Sequence, residues 1–169
     1  MAKIGVCLSG CGVNDGAEIH ESVITALALD RAGAEILYTA PDMEQTKVVN
    51  HLTGDEMNES RNVLVESARI ARGEITNIAK LTSDDMDALL FPGGFGVTLN
   101  LCDFALKGAD CDIHPEVNRI IQEMLAVNKP LGFICIAPAL FARAVKNADK
   151  TVKITIGNDQ ATVDQIEKL

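Results

Sequence analysis

Two short apolar runs, each broken off abruptly by residues of another kind, constrain this chain more than anything else in it: ALLFPGGFG at 88–96 and LGFICIAPAL at 131–140. Runs of this length, flanked by Gly and Pro, fit strands buried on both faces of a parallel sheet. In the second, residues 131–134 deliver Cys135, and Pro138 opens a helix, because proline is favoured in a first helical turn. Cys135 therefore stands where strand becomes helix, at a nucleophile elbow. That position lies at the carboxyl edge of the sheet, where open α/β folds bind ligands, and helix amides point at the sulfur. It favours the thiolate, the form that attacks carbonyls. A cysteine at a strand end also serves as a small buried hydrophobe.

The first run ends in Pro92, Gly93 and Gly94. Paired glycines make a tight turn, and they also let backbone amides approach a ligand closely. If the two strands are neighbours, the Gly94 and Ile136 amides face one small volume beside the sulfur, an oxyanion hole in outline. Gly93 and Cys11 are further candidates for the pocket wall.

The 169 residues suit one domain spanning 1–169. A hydrophobic content of 47% with 23% charged residues reads as globular. A net charge of −9 without a local basic cluster argues against nucleic acid. The apolar run at 4–8 is far too short for a secretory signal or a membrane span, so an intracellular, cytoplasmic protein without membrane attachment is expected. Five cysteines without an export signal suggest reduced thiols. Cys102, Cys111 and His114 cluster in sequence, but the spacing matches no zinc pattern and no metal is expected.

In chain order, residues 3–8 read as a first strand and the glycines at 10, 12 and 16 as a loop that misses the dinucleotide fingerprint, since Asp15 stands where the third glycine belongs. No cofactor is expected. Residues 17–32 follow as a helix with Ile19, Val23 and Leu27 at helical spacing. Glu18 falls in its first turn, either as a cap that complements the helix dipole or as an acid able to reach Cys135. His20 is expected on the surface, pointing away from Glu18. A strand at 34–40, a turn at Thr53 and Gly54, a helix at 59–72, a strand at 87–92 and a short helix around 100–106 come next. A helix at 115–127, the strand at 131–134, a helix at 138–146, a strand at 151–156 and a helix at 162–168 complete the chain. The alternation predicts an α/β, flavodoxin-like three-layer sandwich with a mostly parallel sheet.

These residues resemble the ThiJ/PfpI superfamily, with its glutamine-amidotransferase-like fold, and within it the ElbB branch of ES1-type proteins associated with isoprenoid or lycopene biosynthesis. The resemblance spans LSGCGVNDGAEIHE at 8–21, NHLTG at 50–54, ESRNVLVESARIARGEI at 59–75, FPGGFG at 91–96 and KPLGFICIAP at 129–138. It implies Cys135 as nucleophile, Glu18 as its paired acid, and Gly94 and Ile136 as oxyanion amides. It also implies a C-terminal segment beyond the point where this chain stops.

Protease-type relatives carry histidine directly after the cysteine, where Ile136 stands here, and amidotransferases need a histidine downstream, whereas the last one is His114. A cysteine and glutamate pair remains. Branch members resemble cofactor-independent glyoxalases, some described as protein deglycases, so the expected substrate is a small 2-oxoaldehyde such as glyoxal or methylglyoxal, converted to glycolate or lactate. Pairing with the acid is expected to lower the thiol's pKa. The rival reading is a redox-sensing or partner-binding protein with an oxidisable Cys135. A homodimer is expected, since closed symmetric oligomers are common.

Overall fold

The structure, a computed structural model, describes residues 1–148 and 152–169. Five parallel strands form its sheet: β1 (Lys3–Cys7), β2 (Glu35–Ala40), β5 (Ile75–Asn77), β6 (Ala88–Phe91) and β7 (Leu131–Phe133), in the spatial order β5, β2, β1, β6, β7. A separate antiparallel hairpin pairs β3 (Val48–Val49) with β4 (Glu56–Met57) across the turn at Thr53 and Gly54. Without β5 the order is that of a flavodoxin-like sheet, with its switch point between β1 and β6.

Side chains alternate across the strands. Val6 and Leu8 pack with Ile36, Tyr38, Ile70 and Ile75 on the face covered by helices α1 (Ile19–Arg31) and α2 (Val63–Ala71). Cys7, Leu89 and Phe91 point the other way, into a larger core with Val117, Ile120, Ile121 and Met124 of helix α4 (Pro115–Ala126). Leu140 of helix α5 (Pro138–Val145) and Ile166 of helix α6 (Gln160–Ile166) complete that side. Phe91 and Phe133 stack with centroids 5.0 Å apart, and Phe133 and Phe141 at 4.8 Å, so an aromatic column runs under the two strand ends that carry the glycine turn and Cys135.

The differences from the sequence expectation have local causes. The helix expected at 59–72 begins only at Val63, because Asn62 caps it, its side chain accepting from the Val65 N–H at 3.0 Å. The helix expected around 100–106 divides into a buried wide turn, Val97–Leu101, and the short helix α3 (Phe104–Lys107). In that turn the Cys102 N–H reaches back to the Val97 carbonyl at 3.0 Å. The strand expected at 151–156 does not form in residues 152–156, and Thr151 lies outside the described residues. Ile154 and Ile156 still pack against the larger core. In α1, Ile19, Val23 and Leu27 are 43%, 51% and 45% exposed, so the apolar stripe faces outward. Ser22, whose hydroxyl donates to the Glu18 carbonyl at 2.7 Å, is the residue this helix buries.

Asn100, 3% exposed, ties the loops above the sheet together. Its amide nitrogen donates to the carbonyls of Ser9 at 2.9 Å and Asp15 at 3.0 Å, and its oxygen accepts from the Thr46 N–H at 2.9 Å. Asp15, equally buried, accepts from the Val49 N–H at 2.7 Å. Replacing Asn100 by Ala strands two buried carbonyls and frees the Thr46 N–H, so Asn100→Ala should lower unfolding stability by about 2 kcal/mol in urea titrations. A loss below about 1 kcal/mol would show that the network is dispensable.

Candidate functional site

The carboxyl ends of β1, β6 and β7 lie side by side, because Val6 pairs with Leu90 in one register and Phe91 with Phe133 in the next. The loops leaving those three ends supply the site. After β7 the Ile134 N–H donates to the Phe91 carbonyl at 3.0 Å, and the Ala137 N–H closes a turn onto the Ile134 carbonyl at 2.9 Å. Cys135 sits at the apex of that turn with φ of 58°, in the left-handed region that L side chains avoid. Such a position costs on the order of 1–3 kcal/mol and is tolerated when its surroundings fix it. The side chain is exposed.

Gly93 and Gly94 are explained by close approach. A Cβ on Gly93 would come within 2.5 Å of the Cys135 Cβ and 2.6 Å of Glu21 Oε2. Gly94 has φ of 96°, and a Cβ there would meet the Glu18 backbone nitrogen at 2.5 Å. The Gly94 and Ile136 amides lie close enough to the Cys135 sulfur to lower its pKa. The two amides named from the sequence are thus brought to one sulfur.

The acid at that sulfur is Glu21, not Glu18. Glu18 is the N-cap of α1, with extended backbone angles, and its carboxylate is turned onto the helix end, accepting from the Glu21 N–H at 2.7 Å. It also accepts from the His20 ring at 2.9 Å, so His20 is exposed as expected but does not point away from Glu18. Partial burial works to raise the Glu18 carboxyl, but the Glu21 N–H and His20 hold it below the ordinary carboxylate range. Glu21, one turn into the helix, accepts from the Gly93 N–H at 2.8 Å, and its carboxyl lies beside Cys135, both bordering the space over the Gly93 Cα.

Helix geometry explains the exchange. Side chains lean toward a helix's N-terminus, so the residue one turn inside covers the end, while the capping residue is spent on the backbone. The signal in the sequence was two glutamates three apart at a helix start, which reads as a cap followed by its N3 residue. Cys11 stands apart from this group. It is half-buried, with Glu66, Arg69, Asp15 and Arg61 as its charged neighbours, and does not share the surroundings of Cys135.

The expected lowering of the thiol pKa is also corrected. Desolvation first, then the charge and hydrogen bond of Glu21, push the Cys135 thiol above its ordinary value, and the Gly94 and Ile136 amides only partly offset them. At neutral pH Cys135 is therefore held as a thiol beside the Glu21 side chain. The rate of Cys135 alkylation by iodoacetamide should climb with pH to a midpoint above that of an ordinary cysteine. Glu21→Gln, by removing the negative charge, should move that midpoint down. A wild-type midpoint below the ordinary value would contradict the arrangement.

No family model matches the chain. It is 48% identical over 160 residues to the mitochondrial ES1 protein homolog of Rattus norvegicus, covering 94% of this chain and 59% of that protein. It is 47% identical to the human mitochondrial glutamine amidotransferase-like class 1 domain-containing protein 3, covering 94% of this chain and 58% of the relative. The chain thus spans somewhat over half the length of these relatives. The crystal structure of an isoprenoid biosynthesis protein with an amidotransferase-like domain from Ehrlichia chaffeensis superposes with a TM-score of 0.90 at 37% identity, covering 98% of this chain and 76% of the other. Both curated relatives are named mitochondrial, which overturns the cytoplasmic location expected from the sequence. Mitochondrial targeting segments are amphipathic and basic rather than apolar, so the short apolar run at 4–8 does not bear on that location. With its sheet order, its elbow and these relatives in agreement, the chain belongs to the family of ES1-type and isoprenoid biosynthesis proteins with an amidotransferase-like domain.

Proposed function

We propose that this protein is a cofactor-independent glyoxalase acting on small 2-oxoaldehydes. The observation that carries the reading is the exposed Cys135 at the elbow with the Glu21 carboxyl beside it across Gly93 and the Gly94 and Ile136 amides in its surroundings. The reaction needs a nucleophile, two donors for an oxyanion and one base, and it needs no other group.

In the proposed sequence the Cys135 sulfur bonds to the aldehyde carbon while its proton passes to Glu21. The carbonyl electron pair moves onto oxygen, where the Gly94 and Ile136 amides stabilise the developing charge. Protonation of that oxygen gives a hemithioacetal and returns Glu21 to its carboxylate. Glu21 then removes the proton from the carbon bonded to sulfur, giving an enediolate, and delivers it to the neighbouring carbon, while the hemithioacetal hydroxyl proton passes to the neighbouring oxygen. The first carbon is oxidised to a thioester and the second reduced to an alcohol, so no external oxidant or reductant enters. Water cleaves the thioester, releasing glycolate or lactate and the Cys135 thiol. Gly93 takes part by leaving room, since any side chain there would occupy the space between sulfur and carboxylate.

Purified variants assayed for glyoxal and methylglyoxal consumption test the assignment. Cys135→Ala should abolish turnover. Glu21→Gln should reduce kcat on the order of 10²- to 10⁴-fold, the usual worth of an oriented base. Glu18→Gln should cost only part of a helix cap, about 1 kcal/mol of stability, with kcat within a few-fold of wild type. Equal losses for the two glutamate variants would overturn the assignment of Glu21. Turnover retained in Cys135→Ala would remove the enzyme reading and leave the oxidisable-thiol alternative.

A further inference from the structure

Ile136 belongs to two places at once. It follows Cys135 in the chain, and it also lines a cavity of about 510 Å³ bounded by the loop after β6, helix α3 and helix α6. Phe95, which follows Gly94, lines the same cavity. The cavity thus begins at the immediate chain neighbours of the nucleophile and of the glycine turn. Phe95 is 52% exposed, yet its backbone is held. Its N–H donates to the Val13 carbonyl at 2.8 Å, and its carbonyl accepts from the Thr98 hydroxyl at 3.2 Å. An aromatic side chain is therefore presented to solvent at the cavity, while Phe104, from the other side of the lining, is buried. Helix α6 is tied to the same group of residues. Gln165 Oε1 accepts from the Ala109 N–H at 3.2 Å, and Gly108 leaves room for it, since a Cβ there would come within 2.7 Å of that oxygen.

The chemistry of the lining selects what fits. Small-molecule sites usually occupy about 300–1,000 Å³. Glyoxal, with two carbons and two oxygens, would leave most of this cavity untouched. Lys107 is the one charged residue in the lining among the described residues, and its Nζ lies 2.6 Å from Asp103 and 3.3 Å from Asp112, so its charge is already met by two carboxylates. The Thr162 hydroxyl donates to Asp159 at 2.7 Å, and that of Thr98 to the Phe95 carbonyl. What the cavity offers a ligand is the apolar surface of Phe95, Phe104, Ala105, Ile136 and Ala161. An apolar group gains by leaving water there, whereas a charged one would lose its hydration without a counter-ion.

We propose, resting on the glyoxalase reading above, that this cavity is the substituent subsite of the Cys135 centre, and that the preferred substrate is a 2-oxoaldehyde whose ketone carbon carries an uncharged aromatic or branched apolar group. The aldehyde carbon bonds to the Cys135 sulfur, and the substituent passes over Ile136 to lie between Phe95 and Phe104. The bond changes are those of the glyoxal reaction. The aldehyde carbon is oxidised to the carboxylate level, the ketone carbon is reduced to an alcohol by the hydrogen it receives, and one water is consumed. Phenylglyoxal is thereby converted to mandelate with no external oxidant or reductant.

The test compares kcat/KM from initial rates for glyoxal, phenylglyoxal and 4-carboxyphenylglyoxal on the full chain. Phenylglyoxal should exceed each of the others by about tenfold or more, since even one methylene in an apolar pocket is worth on the order of 10- to 200-fold. Ala105→Trp in α3 and Ala161→Trp in α6 each put an indole against the cavity from a different helix. Both should lower the ratio of phenylglyoxal to glyoxal kcat/KM by about tenfold. Both substrates are assayed on one preparation, so the ratio does not depend on how much of a variant is folded. Glyoxal turnover without preference for phenylglyoxal, equal use of the carboxylated aldehyde, or an unchanged ratio in either Trp variant would overturn the subsite and leave the glyoxalase reading standing. Wild-type protein that consumes none of the three aldehydes would overturn that reading and the subsite with it.

Discussion

Two backbone hydrogen bonds hold the site together, and both involve Gly93. Its carbonyl accepts from the Glu18 N–H at 2.9 Å and its N–H donates to the Glu21 carboxylate at 2.8 Å. The first turn of α1 is thereby fastened to the turn that follows β6. The same glycine packs against the Cys135 Cβ from the third strand end. Three loops belonging to distant parts of the sequence meet on one residue without a side chain. A helix end left with unsatisfied N–H groups needs partners, and here the capping carboxylate of Glu18 and the tie to Gly93 meet that need while aiming Glu21 at the sulfur.

That clasp sets the electrostatics and accounts for the strain. Desolvation and the neighbouring Glu21 raise the thiol's pKa, so the site holds the proton on sulfur. Two amides oppose this effect, and in the proposed reaction the same amides would stabilise the oxyanion. The left-handed turn at Cys135 is the cost of presenting the sulfur to all three groups at once. It is held by the Ile134 and Ala137 hydrogen bonds above the stacked Phe91, Phe133 and Phe141 rings. Conserving the thiol proton in this way differs from the preformed thiolate that a strand-to-helix elbow alone suggests.

What the sequence displays openly is whatever depends on apolar runs. β1, β2, β6 and β7 stand out as such, and the elbow and glycine turn follow from where the runs stop. Three-residue β5 lacks enough length to show a period, and the hairpin of β3 and β4 has two residues per strand. The choice between Glu18 and Glu21 turns on which residue begins α1, and a shift of one or two positions at a helix start exchanges a capping residue for one that faces the site. Asp15 lies in a glycine-rich loop and Asn100 in a wide helical turn, yet both polar side chains are buried, because their partners come from segments far away in sequence. The outward stripe of Ile19, Val23 and Leu27 has the periodicity of a buried face. Periodicity reports that a helix has two sides and leaves open which of them meets the sheet.

The central claim is that Cys135 meets an aldehyde with the Gly94 and Ile136 amides on one side and Glu21 on the other. Crystals soaked in glyoxal and examined by X-ray diffraction test it most directly. The account predicts continuous density from the Cys135 sulfur to a two-carbon adduct whose oxygen lies within hydrogen-bond distance of both amides, with a Glu21 oxygen against the carbon bonded to sulfur. An unmodified Cys135, an adduct oxygen turned away from both amides, or Glu18 in the place assigned to Glu21 would contradict it.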